Sequence, residues 1–469
     1  MVCMILGIEI STSSLKGILM DGQKGLLKEE VMALPSLLAD VVSMDAEGLY
    51  DQLIDFVLEF IIGYEEGIEE ITLVTIWNSL IFLDQEQNNK PLSRVRTWAD
   101  TEGDLGELEA QDDESSLTGC PKHYKFTRWK LIRPGHQELI RKGYRVGSLA
   151  DYIYYSFTGE WVMSHMMASG SGLLKLEEKD WYNNGLEALN LQRSQLPLLV
   201  DWKYKTLIDQ TLAKRLGLSD QVKVQVANGD GGLNQYAEGG FELGVWSLSI
   251  GTSGAMRCLS KDPKVTQGLW CHTLGEGYYV KGAAISGAGN CVQWFLKAFK
   301  LEDQFLVDVE STLSQLENES LPYYLPFIYG EQSPGWVSQR VSGYSEPIEN
   351  YELVELYYSL IEGISFNLYQ GYKLLIEEEG VPESIVISGG VVRTTFWLQL
   401  IADVLGRTLS VSTMEHSSLI GGIRSCLEVN ESPGTVGMEV VADKVRHRQL
   451  MKRFEGYNNF YHQTIEGEK

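Results

Sequence analysis

Apolar and polar positions along this chain form short bursts, and the bursts come in a similar order twice. Cys3–Ile8 and Leu15–Met20 are apolar runs of strand length, separated by Glu9-Ile10-Ser11-Thr12-Ser13-Ser14. This pattern predicts a strand, a polar turn and a returning strand. Leu49, Leu53, Phe56, Val57, Phe60 and Ile61 recur at helical spacing and predict an amphipathic helix packed on a sheet. Ile71–Thr75 is a further strand candidate, and the acidic, turn-rich residues 101–119 read as an exposed loop or a frayed helix start. Past the middle, Val245–Ile250 is strand-like, ends in Gly251-Thr252-Ser253-Gly254 and is followed by β-rich sequence to Ala284. Leu356, Leu360, Ile364, Leu368 and Tyr372 form an i, i+4 stripe on a long helix. Ser384–Ile387 reads as a short buried strand ending in Ser388-Gly389-Gly390, with a helix at Phe396, Leu398, Ile401 and Leu405 after it. Each half opens on strand–turn–strand and continues into strand/helix alternation. That predicts an α/β fold of two related domains, 1–242 and 243–469.

Bulk properties narrow the function classes. A chain of 469 residues holds two to three domains and can bury a large core without disulfides. With 44% hydrophobic and 22% charged residues it is an ordinary globular composition. The formal net charge of −25 argues against a nucleic-acid partner, which needs a basic footprint, and against an anionic membrane surface. The six cysteines are scattered without a C-x-x-C pair, so neither a zinc site nor a disulfide framework is expected, and a reducing cytoplasm is the simplest compartment. The apolar run at the N-terminus meets Glu9 too early for a secretion signal or a membrane span. Monomer and homodimer both remain open.

The chemistry concentrates at residues 222–257. The β-rich run Val222-Lys-Val-Gln-Val226 leads into Asn228-Gly229-Asp230-Gly231-Gly232, which puts a lone carboxylate in a glycine-rich turn at a strand end. About twenty residues on, Ser247–Ile250 ends in Gly251-Thr252-Ser253-Gly254. The first turn suits a general base. The second can wrap phosphate oxygens with backbone N–H groups, which glycine allows to approach closely. Either turn alone is an ordinary structural turn; together they suggest phosphoryl transfer from a nucleotide to a hydroxyl.

On these motifs the chain resembles the FGGY carbohydrate kinases over roughly residues 4–430. Six pieces occur in that family's order: the N-terminal hairpin with Thr12 and Ser13, Trp98-Ala-Asp100, the Asp230 turn, Gly251-Thr252-Ser253, Gly330-Glu331-Gln-Ser-Pro334-Gly335-Trp336, and Ser388-Gly389-Gly390. The resemblance implies two actin/hexokinase-type (ribonuclease H-like) domains around a central cleft, with ATP and Mg²⁺ as cofactors. It implies that Asp230 is the catalytic base, and that Thr12, Ser13, Gly251, Thr252 and Ser253 bind phosphate. Adenosine would lie on Gly389 and Gly390, with Gly282, Gly287 and Gly289 completing the nucleotide wall and Gln293 as a weaker candidate. Trp77, Asn78, Trp98, Asp100 and Asp230 would bind sugar, and Glu9 and Asp230 would face the metal. Packing turns, or a buried sheet edge at Trp77 and Asn78, are the alternative explanations of these residues.

Two departures from the family pattern bear on substrate. Glu9-Ile-Ser11 stands where the family has Asp-x-Gly, and Glu102 stands where Trp-x-Asp-x-Arg carries its arginine. An acid at 102 would repel a sugar carboxylate, which leans the reading toward a neutral open-chain ketose such as xylulose or a 6-deoxyketose like fuculose. A gluconate kinase and a non-catalytic sugar sensor on the same fold are the alternatives.

Overall fold

The two strand–turn–strand units each seed a sheet. The computed structural model describes residues 4–101, 114–316, 320–428 and 436–467. In the first half, β1 (Met4–Ile10), β2 (Ser14–Asp21) and β3 (Gly25–Ala33) form an antiparallel meander. Helix α1 (Ala46–Phe60) then leads to β4 (Ile68–Thr75), which lies parallel to β1. Helix α2 (Leu149–Thr158), β5 (Lys205–Leu207) and β6 (Lys223–Gly229) follow, with β6 parallel to β4. The sheet order is β5-β6-β4-β1-β2-β3.

The second half repeats the plan. After α3 (Asp230–Gly239), β7 (Val245–Ile250), β8 (Gly254–Ser260), β9 (Trp270–Gly275) and β10 (Tyr278–Ile285) run antiparallel. Helices α4 (Gly289–Ala298) and α5 (Leu353–Glu379) lead to β11 (Ser384–Ser388), parallel to β7. Then come α6 (Thr395–Leu405), β12 (Leu409–Ser412), α7 (Ser417–Cys426), β13 (Val436–Val440) and α8 (Lys444–Gly467). The order β9-β10-β8-β7-β11-β12-β13 again places the first strand of the meander beside a parallel crossover strand. The fold is thus α/β, with two sheets that share a central arrangement of hairpin strands beside parallel crossover strands and differ at their edges, β9 and β13 having no counterpart of the same order in the first sheet. No helix among the described residues is long and apolar enough to cross a membrane.

The helices form where the apolar spacing demanded. In α1, Leu49, Leu53, Phe56, Val57 and Phe60 are buried, and Asp45 caps the N-terminus by accepting from the Gly48 N–H at 3.3 Å. In α5 the stripe Leu356, Leu360, Ile364, Leu368 and Tyr372 is buried throughout. The halves are tied by α7, which packs Leu419 and Ile423 onto β1. A side chain at Gly7 would come within 2.9 Å of the terminal methyls of both, so glycine lets them pack there without shifting. Burying such side chains contributes about 1.5–3 kcal/mol each.

Two elements had no sequence expectation, and one open reading is resolved. Strand β3 was not legible, because as an exposed edge its side chains are mixed rather than alternating. Within the acidic stretch, residues 114–118 form a short helix in which Glu114 is buried and paired with Arg128 at 2.8 Å, which agrees with the helix start rather than the exposed loop of the two readings. Residues 102–113, with Glu102, lie outside the described residues. The long helix α8 was also missed, although Leu450, Phe454, Tyr457 and Tyr461 are buried along one stripe.

Candidate active site

Strands β1, β4 and β6 run parallel, so their C-terminal ends share one edge of the sheet, and the candidate acids gather there. Asp230 is the first residue of α3, directly after β6, rather than part of a free turn. The glycines around it have a packing cause. A side chain at Gly229, Gly231 or Gly232 would come within 2.7–3.1 Å of the Trp77 indole, so the backbone lies flat on that ring. Trp77 is fixed in turn by donating its Nε1–H to the Met166 carbonyl at 2.9 Å.

A cavity of about 170 Å³ opens above this floor, lined by Trp77, Asn78, Trp98, Asp230 and Ser253 among the expected residues. Its volume matches roughly six waters, the size of one small sugar. Lys125, Phe126, Arg257, Trp270, His272 and Gln332 complete the wall. Four buried polar atoms on it have no hydrogen-bond partner among the described residues: Asn78 Oδ1, Arg257 Nε, Trp270 Nε1 and His272 Nδ1. Buried polar atoms are rarely left so, and a polyhydroxylated ligand would satisfy them. Asn78 is held with φ 61°, a left-handed conformation that asparagine tolerates.

Asp230 is half-buried and its Oδ1 accepts the Gly231 N–H at 2.7 Å. Burial, then the charge of Glu9, push its acidity toward higher pKa, while Arg257 and the backbone N–H groups of Gly231 and Trp77 pull the other way; the net shift is upward. Glu9 is buried at the end of β1. Lys16 Nζ meets its Oε1 at 2.9 Å, and Ser418 donates to its Oε2 at 2.8 Å. His272 is held neutral by burial, its pKa pushed down to about 3.

Asp100 does not line the cavity. It is buried and held by Arg133, whose Nη1 and Nη2 meet its two oxygens at 2.6 and 3.1 Å, with Arg96 at 3.8 Å. A guanidinium from residue 133 thus meets Asp100 in a bidentate pair.

The two hairpins differ at their tips. In the first, Ser11 Oγ accepts the N–H groups of Ser13 and Ser14 at 3.3 and 3.0 Å, so this turn satisfies itself beside half-buried Thr12 and exposed Ser13. In the second, Gly251 and Thr252 are exposed, and their carbonyls accept from Gly289 and Asn290 at 2.9 and 3.0 Å. The N-terminus of α4 thereby abuts the loop, and its positive dipole end favours phosphate nearby. A side chain at Gly289 would press on the Gly251 carbonyl at 2.6 Å. Gly389 has φ 94° and is exposed, and beside it exposed Gly390 opens onto free space. Gly287 and Gly282 are buried, and packing against Pro326 and Trp270 accounts for them. Gln293 is exposed on α4.

Sequence reasoning passed over Lys125, Arg257, His272 and Gln332. One signal was available. Lys122, Lys125, Arg128, Lys130 and Arg133 crowd into twelve residues of a strongly acidic chain.

Comparison with known proteins gives this geometry a family. "FGGY family of carbohydrate kinases, N-terminal domain" matches residues 4–235, and the C-terminal domain of the same family matches 246–426. A gluconokinase of Bacillus subtilis is 23% identical, covering 89% of this chain and 86% of that protein. A xylulose kinase of Escherichia coli is 24% identical over 76% of this chain and 77% of that one. Among solved structures, a gluconate kinase from Lactobacillus acidophilus superposes with a TM-score of 0.86 at 21% identity, covering 99% of this chain and 98% of that one. A ligand-bound xylulose kinase from the same organism gives 0.86 at 21% identity, over 98% of each chain. With both halves matched in order around one cleft, the chain belongs to the FGGY family of carbohydrate kinases.

Proposed function

We propose that this carbohydrate kinase transfers the γ-phosphoryl group of ATP to a hydroxyl of a small open-chain sugar, with Asp230 as general base. The observation that carries the reading is the state of Asp230. It stands on the cavity wall, one oxygen held by the Gly231 N–H, with burial weakening its acidity. A carboxylate so placed takes the hydroxyl proton while the sugar oxygen bonds to phosphorus and the bond to the ADP oxygen breaks. Such proton transfer contributes ~10²–10⁴-fold. Gly251, Thr252 and Ser253, backed by α4, would hold phosphate, with Thr12 and Ser13 opposite. Gly389 and Gly390 would give adenosine an open floor, and Trp77, Asn78 and Trp98 would hold the sugar.

Mg²⁺ fits this donor set. Among the described residues no three metal-ligating side chains cluster, so the protein offers no closed cage. Mg²⁺ keeps most of its waters and takes one or two carboxylates with substrate phosphates. Asp230 and Glu9 are the acids on that side, and Glu9, already held by Lys16 and Ser418, would act through the ion's water shell. When bound, the ion would neutralise phosphate charge.

We divide the chain at 242/243, supported by two sheets drawn from 4–229 and 245–440. A cytoplasmic location is supported by the five described cysteines, all buried and free.

A coupled assay of ADP release over ketoses and aldonates tests the activity. Sugar-dependent, Mg²⁺-dependent ADP formation is expected. Sugar binding with no ADP formation would overturn it in favour of a sensor, a reading favoured by the self-satisfied first hairpin.

A further inference from the structure

We infer that the substrate is a sugar acid, an open-chain polyhydroxy monocarboxylate whose carboxylate is received by Lys125 and Arg257. This rests on the kinase reading above and deepens it.

Three basic residues around the cleft are matched to acids, and buried Lys130 gives its Nζ to the Lys125 carbonyl at 2.8 Å behind the wall. Lys16 meets Glu9, Arg128 meets Glu114, and Arg133 meets Asp100, all at 2.6–2.9 Å. Lys125 and Arg257 form no ion pair among the described residues. Lys125 Nζ donates to the neutral Gln332 Oε1 at 2.9 Å, and Arg257 Nη1 to the Ser249 hydroxyl at 2.9 Å. The Nε of Arg257 is buried and has no hydrogen-bond partner among the described residues. Both side chains line the cavity and feel one another's charge. The one acid on the same wall is Asp230, which the reaction needs as a base. His272 is neutral, so the wall carries a surplus positive charge.

Two half-buried cations that share the single carboxylate of Asp230 are costly, because desolvation removes water that one acid does not replace. A neutral ketose would leave the surplus standing. A carboxylate would cancel it and could give Arg257 Nε its missing acceptor. The location favours the sugar's carboxylate over a nucleotide phosphate. Lys125 sits 6.0 Å from the ring centres of both Trp98 and Trp336, among the aromatic side chains that suit a sugar's C–H faces. Gly231 leaves room for the guanidinium: a side chain there would come within 3.3 Å of Arg257 Nε. The acid at Glu102 pointed toward a neutral ketose, but the described wall of the cavity carries the opposite charge.

The test pairs two substrates with two ligands. Specificity constants are measured for D-gluconate and D-xylulose at saturating MgATP, on the wild type, Lys125→Met, Arg257→Gln and the charge-keeping Lys125→Arg. In parallel, calorimetry compares gluconate with the uncharged polyol glucitol on nucleotide-free protein. The wild type should prefer the acid at least tenfold in both measurements. Lys125→Met and Arg257→Gln should each cut the acid-to-ketose ratio of kcat/KM by tenfold or more, through the sugar's KM rather than that of ATP. Lys125→Arg should keep most of the preference. Wild-type preference for xylulose, or equal binding of gluconate and glucitol, would overturn the inference. So would equal losses on both substrates with a raised KM for ATP, which would assign the cations to phosphate. Selective gluconate binding without any turnover would instead sink the kinase reading and leave the carboxylate site standing.

Discussion

Two carboxylates stand at the ends of strands in one sheet, and the protein treats them in opposite ways. Glu9, at the end of β1, has both oxygens engaged by Lys16 and Ser418. Asp230, just past the end of β6, meets no side-chain cation in an ion pair among the described residues; backbone N–H groups hold it, that of Gly231 at 2.7 Å. Glu9 is an acid neutralised in place. Asp230 is an acid left free, with its proton affinity raised by burial and by the charge of Glu9. A base needs a free oxygen and a raised pKa; a phosphate-side or metal-side acid needs fixed geometry and a charge already balanced. What separates the two roles is the company each carboxylate keeps.

The comparison breaks most sharply at Asp230. Asp230→Asn should cut turnover by ~10²-fold or more, with nucleotide binding close to unchanged, because the amide cannot take a proton. Steady-state kinetics with isothermal titration of ATP checks this, and near-native turnover would remove Asp230 from the chemistry.

The next effect is on pH. Asp230 must be ionised to act, and its pKa lies above the ordinary carboxylate value. The rate should therefore fall as pH drops through that raised pKa, about tenfold per unit well below it. On the alkaline side Lys125, with its pKa pushed down to about 8 by burial and by Arg257 against the pull of Asp230 and Cys120, should lose its charge. The KM for a sugar acid should then rise above pH 8 while that for a neutral ketose stays flat. A rate that does not fall on the acid side, together with a sugar-acid KM that stays flat above pH 8, would contradict both assignments.

Glu9 should respond more mildly. Glu9→Gln keeps the shape and loses the charge, so the Mg²⁺ concentration for half-maximal rate should rise several-fold, up to about tenfold. Glu9→Asp should retain activity. If neither variant moves the metal titration, Glu9 only anchors Lys16 and α7, and the loss should appear as a lower Tm instead.

The smallest effect belongs to Ser11. Its hydroxyl occupies the N–H groups of Ser13 and Ser14. Ser11→Gly should free them for phosphate and lower the KM for ATP about two- to threefold, roughly the value of a modest hydrogen bond. An unchanged KM would mean that the turn keeps those N–H groups from phosphate with or without the serine.

Much of the scaffold was legible because its signals are local. The spacing of Leu49, Leu53 and Phe60 already specifies the buried face of α1, and Leu356 through Tyr372 that of α5. The stripe Leu450, Phe454, Tyr457 and Tyr461 was equally available, but the charged residues among it hid the helix. Gly229, Gly231 and Gly232 marked the right place for an incomplete reason. A glycine-rich turn was expected, and the strand runs straight into a helix over the Trp77 ring.

By itself the sequence determined two α/β halves with strand–turn–strand openings, the family, and Asp230 as the acid to watch, since periodicity, turn chemistry and motif order are properties of neighbouring residues. Only the tertiary structure decided which charges are balanced. Lys125 meets Gln332 across 207 positions, and Ser418 reaches Glu9 across 409. Arg133 takes Asp100 out of the cavity wall, while Arg257 is brought beside Asp230 with no carboxylate of its own. Whether an ionisable side chain is paired depends on distance and burial in the folded chain. The cleft is assembled from segments far apart in sequence, so its charge became readable only once those segments had met.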